Sequence, residues 1–220
     1  CKVGLNTGRW TWRHNNIVNY VVNSIDTQKF SVQSDIPGHE AAGGGTIPPE
    51  ILITNLKPDI TILDKTNNKF HIFELTCPLM ANIDKQHEYK TNKYAHMLTD
   101  ISQFHTSVTA FEITSTGHIS KRNHSHLQAL HKFCKPGIKL SNFKKNIPGL
   151  SIYSSYHIWL CRNDPIFQEP PFLPPPFPDH IKSLCNLLFL VATRLLPAMS
   201  LVQVQTGEAG YLGGRHGDPV

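Results

Sequence analysis

The run Pro58-Asp59-Ile60-Thr61-Ile62-Leu63-Asp64, the tetrapeptide Lys65-Thr66-Asn67-Asn68 and the run Lys69-Phe70-His71-Ile72-Phe73-Glu74-Leu75-Thr76 decide the fold. The two outer runs are rich in β-branched and aromatic residues, and the four residues between them favour a turn, so together they predict a hairpin. If the turn is centred on Thr66-Asn67, residues whose numbers sum to 133 face each other, which sets Asp59 opposite Glu74. Their Cβ atoms are then about 4.5–5.5 Å apart. Two carboxylates at that distance repel unless a cation lies between them. A hard divalent ion, Mg2+ or Mn2+, suits an all-oxygen set made of Asp59, Glu74, a backbone carbonyl and water. Such an ion activates water for attack on a phosphodiester and neutralises the charge that develops on phosphate.

Outward from the hairpin, the spacing of Trp10, Ile17, Val18, Val21, Val22 and Ile25 predicts a helix over Trp10–Ile25 with Thr11 available as its cap. Lys29–Gln33 reads as a short strand. Pro37–Pro49, with Gly43-Gly44-Gly45, reads as a loop that matches neither a Walker loop nor a dinucleotide fingerprint. Downstream, Leu79, Ile83, Tyr94, Met97, Leu98 and Ile101 predict one long amphipathic helix over 79–102. Ser107–Thr114 reads as a third strand before a turn at Gly117. Ser120–Cys134 and Leu140–Cys161 read as helices, the second broken near Pro148-Gly149. The fold class expected is α/β, a mixed central sheet with flanking helices.

A lysine is wanted beside the acid pair to stabilise phosphate charge and orient the water. Thr76 stands where a lysine often follows such a glutamate, and its hydroxyl carries no charge. Lys90 and Lys93 lie about 60° apart on the next helix, so either can reach back over the hairpin. Lys93 ranks first, because its stem lies beside the apolar residues Tyr94, Met97 and Leu98, whereas Lys90 sits among His87 and Glu88 on a more polar arc.

Pro58-Asp59, the run Glu74-Leu75-Thr76-Cys77-Pro78 and Lys90-Thr91-Asn92-Lys93-Tyr94 resemble the restriction-endonuclease-like PD-(D/E)XK nucleases, above all those encoded after the reverse transcriptase in certain non-LTR retrotransposons. The resemblance covers residues 10–162 in layout, with its specific motifs between 58 and 94. It implies a restriction-endonuclease-like domain that nicks DNA with Mg2+ (or Mn2+) held by Asp59, Glu74 and the Leu75 carbonyl. Lys93 or Lys90 would be a catalytic lysine displaced onto the helix. It further implies DNA and the remainder of a reverse-transcriptase polyprotein as partners, and an intracellular, nuclear location. The first predicted helix has no glutamate to serve as the additional acid some members carry. The competing functions are a nucleic-acid-binding remnant of the same fold that takes up no metal, and an interaction module that uses a proline-rich stretch.

Charge supports a nucleic-acid partner. Residues 113–163 hold eight Lys or Arg and no Asp or Glu. Of these, Lys121, Arg122, Lys132, Lys135, Lys139, Lys144 and Lys145 are the candidate phosphate contacts, of the kind that binds sequence-independently by counterion release. His124, His126, His131 and Cys134 are metal-ligating types, but a single helix cannot close a tetrahedral zinc shell.

Composition sets the outer limits. The 220 residues are globular in composition, with 40% hydrophobic and 17% charged residues. Five cysteines form no CxxC pair and no even framework, which disfavours a zinc ribbon and a disulfide-stapled secreted domain. Seven prolines fall within 165–178. The expected organisation is a domain at 1–164, a proline-rich linker at 165–178, and a short apolar helix with a poorly structured tail at 179–220. Arg194 and Pro197 interrupt the apolar run 184–202, so no membrane partner is expected. The opening at Cys1, with no signal-peptide pattern, reads as a piece of a longer polypeptide.

Overall fold

The computed structural model describes residues 8–164; the linker and tail expected at 165–220 lie outside them. A four-stranded mixed sheet with helices on both faces is built from β1 (Ser31–Ser34), β2 (Ile60–Asp64), β3 (Lys69–Thr76) and β4 (His105–Glu112), in the order β1-β2-β3-β4. The first three strands are antiparallel and β4 runs parallel to β3. The hairpin register is the one the turn predicts: Ile60 pairs with Phe73 and Asp64 with Lys69. Asp64 fixes the turn by accepting from the backbone N–H of Asn67 at 3.0 Å and from its side-chain amide at 2.7 Å. Asn68 takes the left-handed conformation there, with φ 54°.

Alternation along the strands makes two cores. Ile60, Ile62, Phe73, Leu75, Phe111 and Ile113 face one side. They pack against α1 (Arg9–Ser24), α4 (Lys121–His131) and α5 (Leu140–Leu160) through Ile17, Val21, Leu127, Phe143 and Ile147. Leu63, Phe70 and Ile72 face the other side, under α2 (Ile83–Tyr94) and α3 (Met97–Asp100), and meet Tyr94, Met97 and Ile101. Along β3 this second face reads Phe70, Ile72, Glu74, Thr76, so it turns from apolar to ionic toward the strand's C-terminal end.

Three local expectations are corrected. Thr11 lies inside α1, whose N-cap is Gly8 in the left-handed region. The single helix expected over 79–102 is a 3-10 turn at Met80–Asn82 followed by α2 and α3. The chain tightens at Ala95 and His96 through bonds such as Leu98 N–H to the Ala95 carbonyl, 3.2 Å, and this brings Tyr94, Met97 and Ile101 into one core. The break expected at Pro148 does not occur, for α5 continues through it. Proline removes one helical hydrogen bond, but Phe143, Ile147, Leu150 and Ile158 stay buried on either side of it and hold the helix against the sheet. Among the described residues no helix is long and apolar enough to cross a membrane, and the run 184–202 lies outside them.

Candidate active site

The hairpin ladder ends at Ile60 and Phe73, and at the next position side chains take over from the backbone. The Asp59 N–H donates to Glu74 Oε1 at 3.0 Å, and the Leu75 N–H donates to Asp59 Oδ2 at 2.7 Å. Each acid is thus held by the other's strand. Glu74 is 0% exposed and Asp59 8%.

The cation that this pair requires is Lys90. Its ammonium donates to Glu74 Oε2 at 2.6 Å and lies 3.7 Å from Asp59 Oδ2. This corrects the ranking of the two lysines. Lys93 is exposed and lies over the Tyr94 ring, 4.7 Å from its centroid. The reason is rotational: Tyr94 is buried, Lys90 precedes it by four residues and shares its face, while Lys93 is one residue and about 100° away. The Tyr94 hydroxyl in turn donates to the Lys57 carbonyl at 3.1 Å, which ties the helix end to the segment leading into Asp59.

His14 completes the cluster and escaped the sequence argument. From α1, its Nε2 reaches Asp59 Oδ1 at 3.3 Å. The signal was present, since His14 precedes Ile17, Val18 and Val21 by three, four and seven residues and so lies on the apolar stripe of its helix. A polar ring on a buried stripe needs a partner. Arg13, beside it, donates to the Cys77 carbonyl at 3.0 Å and to Ser155 Oγ at 3.1 Å, which locks α1, the end of β3 and α5 together.

Electrostatics at the cluster follow from burial. Burial, and then the Asp59 charge, push Glu74 up to about 7 despite Lys90. Burial also works to raise Asp59, but the hydrogen bond and charge of His14, with Lys90, outweigh it and hold this acid below its ordinary value. For His14 burial opposes the charged ring, and the Asp59 bond and charge prevail, so its pKa is raised. Lys90 is likewise raised, with Asp59 and Glu74 outweighing burial. Burial pushes the Cys77 thiol up to about 11, which leaves no thiolate at neutral pH.

A divalent ion fits this donor set. Asp59 and Glu74 bring together hard carboxylate oxygens of the kind such an ion takes, and in the structure these oxygens are engaged by His14, the Leu75 and Asp59 N–H groups and Lys90. Among the described residues no group of three or more His, Cys, Asp or Glu side chains is arranged to hold a metal, so any ion here would rest on Asp59, Glu74 and backbone or water oxygens.

The basic segment divides. Lys121, Lys132, Lys139 and Lys145 are exposed and Lys144 half-buried. Two expected phosphate contacts are engaged within the chain. Arg122 donates to Asp84 Oδ1 at 2.8 Å and lies 3.6 Å from Glu112 Oε2, and Lys135 donates to the Asn23 carbonyl at 2.8 Å. Asn23 lies nine residues beyond His14 on α1, about 13.5 Å along the axis, so Lys135 stands well away from the acid pair.

Comparison with models of known protein families finds none that matches the chain, and comparison with curated proteins finds no match.

Proposed function

We propose that this chain is a restriction-endonuclease-like domain of a retroelement polyprotein that nicks DNA with Mg2+ or Mn2+. The observation that carries this is the convergence of Asp59, Glu74 and the Lys90 ammonium at the C-terminal end of β3, on the sheet face that α2 covers. Asp59 and Glu74, with the Leu75 carbonyl, would hold the ion. When bound, it supplies an activated water and neutralises charge on the phosphate. Lys90 takes the role of the lysine missing at Thr76, with its ammonium held where phosphate charge develops. His14 keeps Asp59 ionised and oriented, and Tyr94 anchors the helix that carries Lys90. A nuclear location and a reverse-transcriptase partner follow from the same proposal, as the first cut would prime reverse transcription.

The full chain with Mg2+ or Mn2+ is expected to nick plasmid DNA, and Asp59→Ala or Glu74→Ala to lower the rate at least about 10³-fold while DNA binding persists. Undiminished nicking in both variants would remove these residues from the site. Binding without nicking in the parent, under either metal, would instead make the chain a DNA-binding remnant.

Binding itself is expected to weaken steeply with salt. Replacing Lys144 and Lys145 with alanine should reduce affinity on all sequences alike and lower the log–log salt slope by about 2, because phosphate contacts carry no sequence information. Salt-independent binding would point to an apolar partner.

A further inference from the structure

The buried stripe of α2 carries a second ionic group besides Lys90. Ile83, His87, Lys90 and Tyr94 follow at spacings of four, three and four residues, which is one helix face. His87 and Lys90 thus have Cβ atoms about 5–6 Å apart. His87 Nδ1 lies 2.7 Å from Glu112 Oε1, and Glu112, at the end of β4, is 1% exposed. The other Glu112 oxygen accepts from Asn123 Nδ2 at 2.9 Å and faces Arg122 Nε at 3.6 Å, while Asn123 Nδ2 also donates to the Glu112 carbonyl at 2.7 Å.

This arrangement has a direction. A carboxylate on Nδ1 fixes that nitrogen as the donor and leaves Nε2 for another partner. The His87 side chain is 25% exposed, and no partner among the described residues meets Nε2. His126 stacks on His87 with centroids 6.2 Å apart, and burial holds His126 below the ordinary histidine range. The charged and titratable groups around His87 include Glu112, Arg122 with its partner Asp84, His126 and, one turn along the helix, Lys90.

The pair stands beside the acid cluster. β3 and β4 are parallel and in register, with Glu74 opposite Ala110 and Thr76 opposite Glu112, so Glu74 and Glu112 share a face. From the strand spacing of about 4.8 Å and a rise of about 3.3 Å per residue, their Cα atoms are about 8 Å apart. The face under α2 holds two adjacent devices, one cationic over two acids and one imidazole on one acid.

Building on the nuclease function proposed above, we propose that His87, oriented by Glu112, is the general acid that protonates the leaving oxygen of the cut phosphodiester. In that step the water oxygen bonds to phosphorus and the bond from phosphorus to the leaving oxygen breaks. The oxygen keeps the electron pair and takes the Nε2 proton. The proton released by the attacking water restores the imidazolium through solvent, so one water is consumed and no proton is gained or lost. Glu112 and Asn123 act through His87 and are positioning residues.

The test uses the full chain, Mg2+ and short duplexes in which a single linkage carries sulfur in place of the bridging oxygen, on the 3′ side in one and the 5′ side in another, beside the all-oxygen duplex. A thiolate leaves without a proton, so it bypasses a general acid. His87→Ala is expected to slow single-turnover cleavage of the oxygen substrate about 10²-fold. On the sulfur substrate whose leaving atom is replaced, it should cut within about threefold of the parent chain. Glu112→Gln, which keeps an acceptor oxygen but removes the charge, should show a smaller loss with the same rescue. Equal slowing on oxygen and sulfur substrates, or no slowing, would overturn the assignment and leave the nuclease function standing. Absence of cleavage by the parent chain on every substrate would overturn both.

Discussion

Lys90→Met is expected to lower the unfolding free energy by about 3 kcal/mol at pH 8, because it leaves two buried carboxylates facing each other without their cation. Lys93→Ala, at an exposed position, should cost less than about 1 kcal/mol, including its contact over the Tyr94 ring. The loss from Lys90→Met should shrink at pH 5. Lys90 has a raised pKa in the fold, so its contribution is lost only as pH rises through that value, above both test conditions, and the ammonium is charged in each. The pH dependence therefore comes from Glu74. At pH 5 this residue, raised to about 7, is mostly protonated and needs no partner, while Asp59 keeps His14. At pH 8 it must either ionise in a dry site or hold a proton that the unfolded chain releases, and each costs stability. Urea unfolding at the two pH values reads the difference. Equal losses at both, or a Lys93 variant as damaged as Lys90→Met, would refute this account of the site. In cleavage assays the same ranking should hold, with Lys90→Met losing nicking and Lys93→Ala keeping it.

Glu74→Gln should have the opposite effect on stability while destroying activity. Glu74 has its folded pKa raised from 4.5 to about 7, so the protonated fold is favoured below the unfolded value and stability is lost as pH rises through 7. The loss is about 3 kcal/mol once the residue is fully ionised. Glutamine removes it, leaving Asp59 with Lys90 and His14. The variant should therefore match the parent near pH 4 and melt about 5–10 °C higher at pH 8. It should also fail to nick DNA, and Mg2+ should raise the melting temperature of the parent but not of the variant. A lower melting temperature for the variant at pH 8 would show that Glu74 stabilises the fold. An equal Mg2+ response in both would place the ion elsewhere.

The hairpin and its acid pair were legible in the chain because strand register is a short-range property. With a turn anchored by Asp64 and Asn67 and a side-chain period of two, the pairing of Ile60 with Phe73 follows, and with it the meeting of Asp59 and Glu74. The alternation along β3 likewise places Phe73 and Leu75 on one face and Phe70, Ile72 and Glu74 on the other before any tertiary contact is known. The helical periodicities located α1, α4 and α5 to within a few residues for the same reason. Part of the remainder was also written there and misjudged: Lys90 and His87 lie four and seven residues before Tyr94, on its face, whereas Lys93 was ranked by its neighbours in sequence.

Only the tertiary structure decided which groups meet across elements. The approach of His14 to Asp59 depends on how α1 docks against the first core, and the joining of His87 to Glu112 on the parallel pairing of β4 with β3, whose partners are more than thirty residues apart. Packing also carried α5 through Pro148 and tightened the chain at Ala95, against local preference in the first case and against a continuous apolar stripe in the second. The contacts of Arg122 with Asp84 and Glu112 and of Lys135 with Asn23 arise in the same way. Local sequence sets period and register, which depend on a few bonds between near neighbours. The assembly of a buried charged cluster depends on desolvation, and that exists only once the helices have closed over the sheet.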